Sequence, residues 1–180
     1  MAAISARIAF GLCGFLGLAI VAASIAQAED SATVKAFATW QAKGQVFETG
    51  LGDLTFIGYL NGRLYIETEQ GPLDSGQLVC PAVIKINAED GSQQGSGACT
   101  VTARDGARAY ATVTCTGFHL VGCDGDFKLT GGTGRFAGIS GGSPVTIRSG
   151  IGEIKSASDS TATEEASGIL YLRELTYHIP

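Results

Sequence analysis

Hydrophobic patterning divides the chain into two unequal parts. From Ile8 to Ile25 the residues are almost all apolar and show no polar face. Beyond residue 28 the pattern changes to short runs in which apolar and polar side chains alternate, the period of a strand covered on one face. These runs are Leu54–Leu60, Leu64–Thr68, Val83–Asn87, Thr100–Ala103, Tyr110–Cys115, Phe127–Thr130 and Val145–Arg148. No segment here sustains the helical period. Turn signals fall between them: Asn61-Gly62, Asp90-Gly91, Asp105-Gly106, Asp124-Gly125, Thr133-Gly134, Gly141-Gly142, Gly150 and Gly152. The tail Ile169–Tyr177 is rich in Ile, Leu, Tyr and Thr and reads as a strand, whereas the polar stretch Ser156–Ser167 reads as a loop. About eight short strands with turns at this spacing predict an all-β protein, a small antiparallel β-barrel or a sandwich. Glycine, 26 of 180 residues, favours the barrel, whose corners and close strand contacts need residues without side chains.

The apolar run belongs to an expected signal peptide over residues 1–28. Arg7 supplies the positive start, and Ala26-Gln27-Ala28 is a small-residue cleavage site before Glu29. An uncleaved anchor is the rival, since the run reaches the lower limit for spanning, ~17–25 residues. Cys13 lies inside the run without the small residue that precedes a lipidated cysteine. The expected organisation is therefore residues 29–180 as a single domain, exported to a bacterial periplasm or secreted, with no stable membrane insertion after cleavage.

Four cysteines follow the export segment: Cys80, Cys99, Cys115 and Cys123. An even number in an exported chain predicts disulfides. A metal site is the weaker alternative, because no C-x-x-C is present and His119 and His178 are far apart. A two-residue turn at Asp105-Gly106 pairs Cys99 with Thr112 and puts Cys115 on the opposite face, which disfavours Cys99–Cys115. Cys115 and Cys123 flank the short loop Phe118–Val121, leaving Cys80 for Cys99. Each bridge contributes ~2–4 kcal/mol.

Charge excludes one class of function. Charged residues are 16% of the chain against a usual ~25%, and the formal net charge is −5 with no basic cluster. A nucleic-acid partner is not expected. The β-branched and aromatic content also excludes disorder.

Leu129–Gly142 reads Leu-Thr-Gly-Gly-Thr-Gly-Arg-Phe-Ala-Gly-Ile-Ser-Gly-Gly. This run resembles the glycine corner of the allene oxide cyclase and dirigent-like barrels. With Gly97-Ala98-Cys99, Asp105-Gly106, Tyr110, Cys115 and Cys123-Asp124-Gly125, it resembles exported bacterial members that carry GGTGRFAG. The resemblance spans Cys80 to Gly142. It implies an eight-stranded, calycin-like antiparallel barrel with an apolar cavity that works without cofactors. Its enzyme members steer cyclisation or coupling of hydrophobic substrates, but their catalytic residues lie outside this motif and transfer to no position here. Gly131, Gly132, Gly134, Arg135, Phe136 and Gly138 are read as this structural corner, with Arg135 solvated or paired to a carboxylate. The run lacks the Gly-Lys-Ser/Thr of a phosphate loop.

Candidate chemistry is sparse. A hairpin at Asn61-Gly62 places Phe56, Tyr65, Glu67 and Glu69 on one face, with Tyr65 over Gly58. Glu67 and Glu69 would then stand about 7 Å apart at ~3.3 Å per residue, as paired carboxylates for acid–base work do. Phe56 and Tyr65 are the candidate ligand contacts. His119 has no nucleophile signature near it, and His178 is expected to fray at the terminus. Asp124 and Asp126 form an acidic turn. No metal and no cofactor are expected. The expected function is binding of a small hydrophobic ligand, or service as a stable envelope module without catalysis. The alternatives are a cofactor-free isomerase or cyclase and an eight-stranded outer-membrane barrel.

Overall fold

In the computed structural model, which describes residues 30–156 and 161–180, the alternating pattern closes on itself. The strands are β1 (Asp30–Gly50), β2 (Asp53–Thr68), β3 (Gly71–Asn87), β4 (Ser92–Thr102), β5 (Arg108–Phe118), β6 (Gly122–Gly132), β7 (Ser140–Ser156) and β8 (Thr161–Ile179). Each pairs antiparallel with the next, and β8 returns to β1, giving a closed eight-stranded up-and-down barrel. Closure removes the open edges that would otherwise template aggregation. The expected signal segment lies outside the described residues.

Alternation decides what the barrel holds. Along β5, Arg108, Tyr110, Thr112 and Thr114 are exposed while Ala109, Ala111, Val113 and Cys115 are buried. The lumen is filled by a core that includes Trp40, Leu64, Leu78, Val101, Leu129, Val145, Leu170 and Leu172. A smaller cluster, Val46, Phe56 and Ile86, sits toward the end where the β1–β2, β3–β4 and β5–β6 loops lie. Fully burying a side chain such as Leu or Phe contributes ~1.5–3 kcal/mol.

Several sequence expectations are corrected here. Asn61-Gly62 makes no turn: β2 runs straight through it, with Asn61 opposite Gln41 on one side and Val79 on the other. Gly62 serves close approach instead, since a Cβ there would collide with the Thr39 carbonyl beside the Trp40 indole strand. Phe56 and Tyr65, nine positions apart on one strand, therefore face opposite sides. Tyr65 does not cover Gly58; it stacks on Phe37, with centroids 5.2 Å apart. Asp124-Gly125 is mid-strand in β6, and Gly141-Gly142, Gly150 and Gly152 lie within β7. Thr161–Ser167, expected as loop, begins β8, and β1 is a strand that the sequence reading missed. His178 does not fray: it pairs with Ser140, and its Nδ1 lies 2.9 Å from Ser31 Oγ.

The Asp105-Gly106 hairpin forms, but with a three-residue loop. The Gly106 amide donates to Ala103 O (3.0 Å), the Ala103 amide donates to Ala107 O (2.9 Å), and Gly106 adopts φ 82°. This is a type I turn closed by a left-handed glycine. The register shifts by one residue, so Cys99 faces Ala111 and shares the lumen with Cys115. The face argument against Cys99–Cys115 thus fails, yet the expected pairing stands: Cys80–Cys99 and Cys115–Cys123 are the bonds present. Distance excludes the alternative. Cys115 lies opposite Gly95, four residues along β4 from Cys99, or ~13 Å at ~3.3 Å per residue, beyond any disulfide. Two bridges of this kind belong to an oxidising, extracytoplasmic compartment.

The Gly131–Gly138 run is the expected corner: β6 ends, a single 3-10 turn spans Gly134–Phe136, and β7 follows. Arg135 bridges to Asp105 at 3.2 Å and lies over the Phe136 ring, 4.8 Å from its centroid.

Candidate functional site

The barrel narrows its own filling at mid-height because small residues meet there. Across β8, β1, β2, β3 and β4, one inward row reads Glu164, Gly44, Gly58, Ala82, Gly97. The Phe56 ring lies over Gly44 and Gly58, where any Cβ would strike it. Beyond that ring a cavity of about 90 Å³ remains, where Ala42, Ala82, Gly95 and Gly97 present little or no side chain. Its apolar wall includes Trp40, Phe56, Leu60, Ile84, Val113 and Leu170, and all four bridged cysteines line it. Its polar members are Gln93, His119, Ser149 and Glu164, with Ser96 at the side. Gln93 also borders a polar groove at that barrel end, lined by Thr49, Asp53, Asn87 and Thr116.

His119 enters from the β5–β6 loop. Its amide donates to Gly91 O (2.8 Å), and the Ser149 amide donates to Val121 O (3.1 Å), so the loop is tied to its neighbours on both sides. Between these anchors Leu120 adopts φ 56°, a left-handed conformation that is strained for a residue with a side chain. The loop holds the His119 side chain 16% exposed, with Nε2 3.1 Å from Glu164 Oε2. The two atoms are in ion-pair range but are not aligned as a hydrogen bond, and Oε2 has no hydrogen-bond donor in the protein. Glu164 is only 6% exposed. Trp40 is equally buried, and its Nε1–H has no acceptor in the protein. Buried polar atoms are usually satisfied, and each left unpaired costs ~1–3 kcal/mol.

A histidine beside a carboxylate in an apolar pocket can orient a polar ligand group or move a proton. Two carboxylates on the barrel exterior, Asp124 and Asp74, are held by paired groups. Thr146 Oγ1 (2.7 Å) and the Arg148 guanidinium hold Asp124 below the usual carboxylate range. Burial would raise the Asp74 carboxyl, but Arg63 at 2.8 Å, with Arg104 behind it, keeps it low.

The candidates named from sequence are scattered. Phe56 lines the cavity, whereas Tyr65 lies outside the barrel. Glu67 and Glu69 are exposed at the opposite end, one near the close of β2 and the other in the turn after it. The glycine corner also lies at that far end. The polar composition of Ser156–Ser167, which reads as a loop, hides Glu164. The signal was present: Ala162, Glu164, Ala166, Gly168, Leu170 and Leu172 continue the tail's two-residue period back through the glutamate.

No protein-family model matches the chain, and no curated protein matches it.

Proposed function

We propose that this protein is an exported barrel that binds a small, mainly apolar molecule in its lumen. One observation carries the reading: an apolar cavity of about 90 Å³ whose wall holds a buried His119–Glu164 pair, Nε2 to Oε2 3.1 Å. A natural barrel interior without a ligand role is expected to be closed by larger side chains. The volume limits the ligand. A dry cavity of ~150 Å³ accepts benzene, and drug-sized ligands need ~300 Å³ or more. The occupant is therefore smaller than benzene. Export and the similarity of Leu129–Gly142 to allene oxide cyclase and dirigent-like barrels support the same reading, since that family encloses apolar cavities without cofactors.

A ligand that binds only the folded state stabilises it; at ten times its Kd the gain is about 1.4 kcal/mol, or roughly 3–6 °C in Tm. Gly95 offers a control. A Cβ added there would meet Cys115 Sγ at 3.4 Å and Ile84 Cγ1 at 3.5 Å, both ordinary side-chain contacts with no backbone atom among them, so Gly95→Val adds its side chain from a Cβ that the cavity wall accommodates. Small cyclic hydrocarbons should raise the Tm of the wild type and not that of Gly95→Val. No shift in either protein would favour the structural-module reading instead.

The His119–Glu164 contact favours one second reading, a cofactor-free isomerase or cyclase in which this pair moves a proton. Turnover abolished in His119→Ala, with ligand binding retained, would promote it. Glu67 and Glu69 lend it no support from their exposed positions.

A further inference from the structure

A ligand in the lumen needs a way in, and the inference drawn from that need rests on the binding reading above. Of the described residues that line the cavity, only His119 and Leu120 lie outside a strand. Every other lining residue belongs to the closed ladder, so moving it breaks hydrogen bonds to neighbouring strands. Deeper in the lumen, Leu64, Leu78, Leu129 and Leu172 fill the space. At the cavity end, Val46, Phe56 and Ile86 fill the side formed by β1, β2 and β3. We infer that the β5–β6 loop is the gate of the lumen and that the His119–Glu164 contact is its latch.

The loop is built to move as one piece. Phe118–Val121 is a turn closed internally, since the Val121 amide donates to Phe118 O (3.1 Å). Gly117 and Gly122 flank it and supply backbone freedom at both ends. Beside them the Cys115–Cys123 bridge staples the stem, so motion of the loop does not part β5 from β6. Opening breaks two backbone hydrogen bonds, from the His119 amide to Gly91 O and from the Ser149 amide to Val121 O. It also breaks the 3.1 Å contact between His119 Nε2 and Glu164 Oε2. Other terms favour opening. Leu120, held at φ 56° while it packs against the core, is released from a strained conformation. Phe118 and Val121 lose little packing, being 57% and 63% exposed already. The latch then decides the balance. With His119 seated, the buried Glu164 carboxylate has a partner. Without it, the carboxylate stands alone in an apolar wall, and opening hydrates it.

Xenon is the probe, because it is small and apolar and its magnetic resonance reports both binding and exchange in the purified, disulfide-bonded protein. His119→Leu keeps the bulk of the plug but offers Glu164 no partner. Xenon should exchange about tenfold or more faster in this variant than in the wild type, as expected when a buried charge loses its partner in the closed state. Hydrogen exchange of the amides of residue 119 and Ser149 should quicken by a similar factor. The double variant His119→Leu/Glu164→Leu should return both rates to near the wild-type values, because an apolar pair leaves no charge to hydrate. Unchanged xenon exchange in His119→Leu, with quickened amides, places the route elsewhere; it overturns the gate and leaves the binding reading intact. No change in either rate overturns the latch. A double variant as fast as the single one assigns the effect to lost shape and also overturns the latch. No xenon bound by the wild type overturns both the gate and the binding reading. Should the variants fail to fold, the wild type decides alone. Its His119 and Ser149 amides should exchange about tenfold or more faster than the ladder amides of Ala111 and Val113. Equal protection would mean that the loop opens only with the whole barrel, which overturns the gate.

Discussion

At the residue scale, glycine serves two different ends, the turn and the close strand contact. A glycine beside Asn or Asp signals a turn, but Gly62 and Gly125 sit in extended strand where a neighbouring carbonyl or side chain leaves no room for a Cβ. Both uses remove the side chain, and local sequence does not distinguish a left-handed backbone from a crowded one. Gly134 is the opposite case, where the turn reading holds. Its φ is 60°, and a Cβ there would stand 3.1 Å from the Ala107 Cβ. Gly134→Val should therefore cost about 2 kcal/mol, or roughly 4–8 °C in Tm, through backbone strain and pressure on the neighbouring hairpin. A melting curve checks this, and an unchanged midpoint would remove the corner's claim to structural importance. His119 was visible in the sequence as a loop histidine. Its partner Glu164 carries no such local signal, because chemistry there depends on two residues 45 positions apart being folded onto one cavity wall.

At the element scale, period-two alternation located strands well and their ends poorly. Each run named from sequence falls on a strand, with Thr100–Ala103 passing the end of β4 by one residue, yet β2 contains two of them, and β1 is hard to see in the sequence because Ala36, Ala38, Ala42 and Gly44 leave only Trp40 and Val46 as large apolar residues on its inward face. The hairpin at Asp105-Gly106 shows how much one residue of register matters, since it moved Cys99 to the lumen face. Both bridges staple neighbouring strands inside the barrel, Cys80–Cys99 with a sequence separation of 19 and Cys115–Cys123 with one of 8. Loop-closure entropy then predicts a loss of about 3 kcal/mol for Cys80→Ala/Cys99→Ala against about 2.5 kcal/mol for Cys115→Ala/Cys123→Ala. Denaturant unfolding of the two double variants measures both. A larger loss for the shorter loop would show that lumen packing, not chain entropy, sets the contribution of these cysteines.

At the scale of the whole molecule, the barrel is apolar inside and largely polar outside. Lys43–Glu165, Arg63–Asp74 and Arg148–Asp124 ion pairs stud the outer surface. A membrane-spanning barrel has the reverse arrangement, a lipid-facing apolar band around a polar interior. The mature protein should accordingly appear in the soluble fraction after osmotic release, with recovery only in detergent-extracted membranes as the contrary result. The sequence by itself determined the all-β class, the strand-scale alternation and the glycine corner at Gly131–Gly138, because each rests on residues near one another along the chain or on a repeating local pattern, whereas the strand register was needed to exclude Cys99–Cys115. Only the tertiary structure decided where the lumen is hollow and what faces it. The small residues Ala42, Ala82, Gly95 and Gly97 come from three different strands, and they leave a cavity only when the barrel closes and brings them to one wall with Glu164, while the Phe56 ring fills the space over Gly44 and Gly58. Closure is a long-range event set by the register of all eight strands at once, and no local window of sequence encodes it.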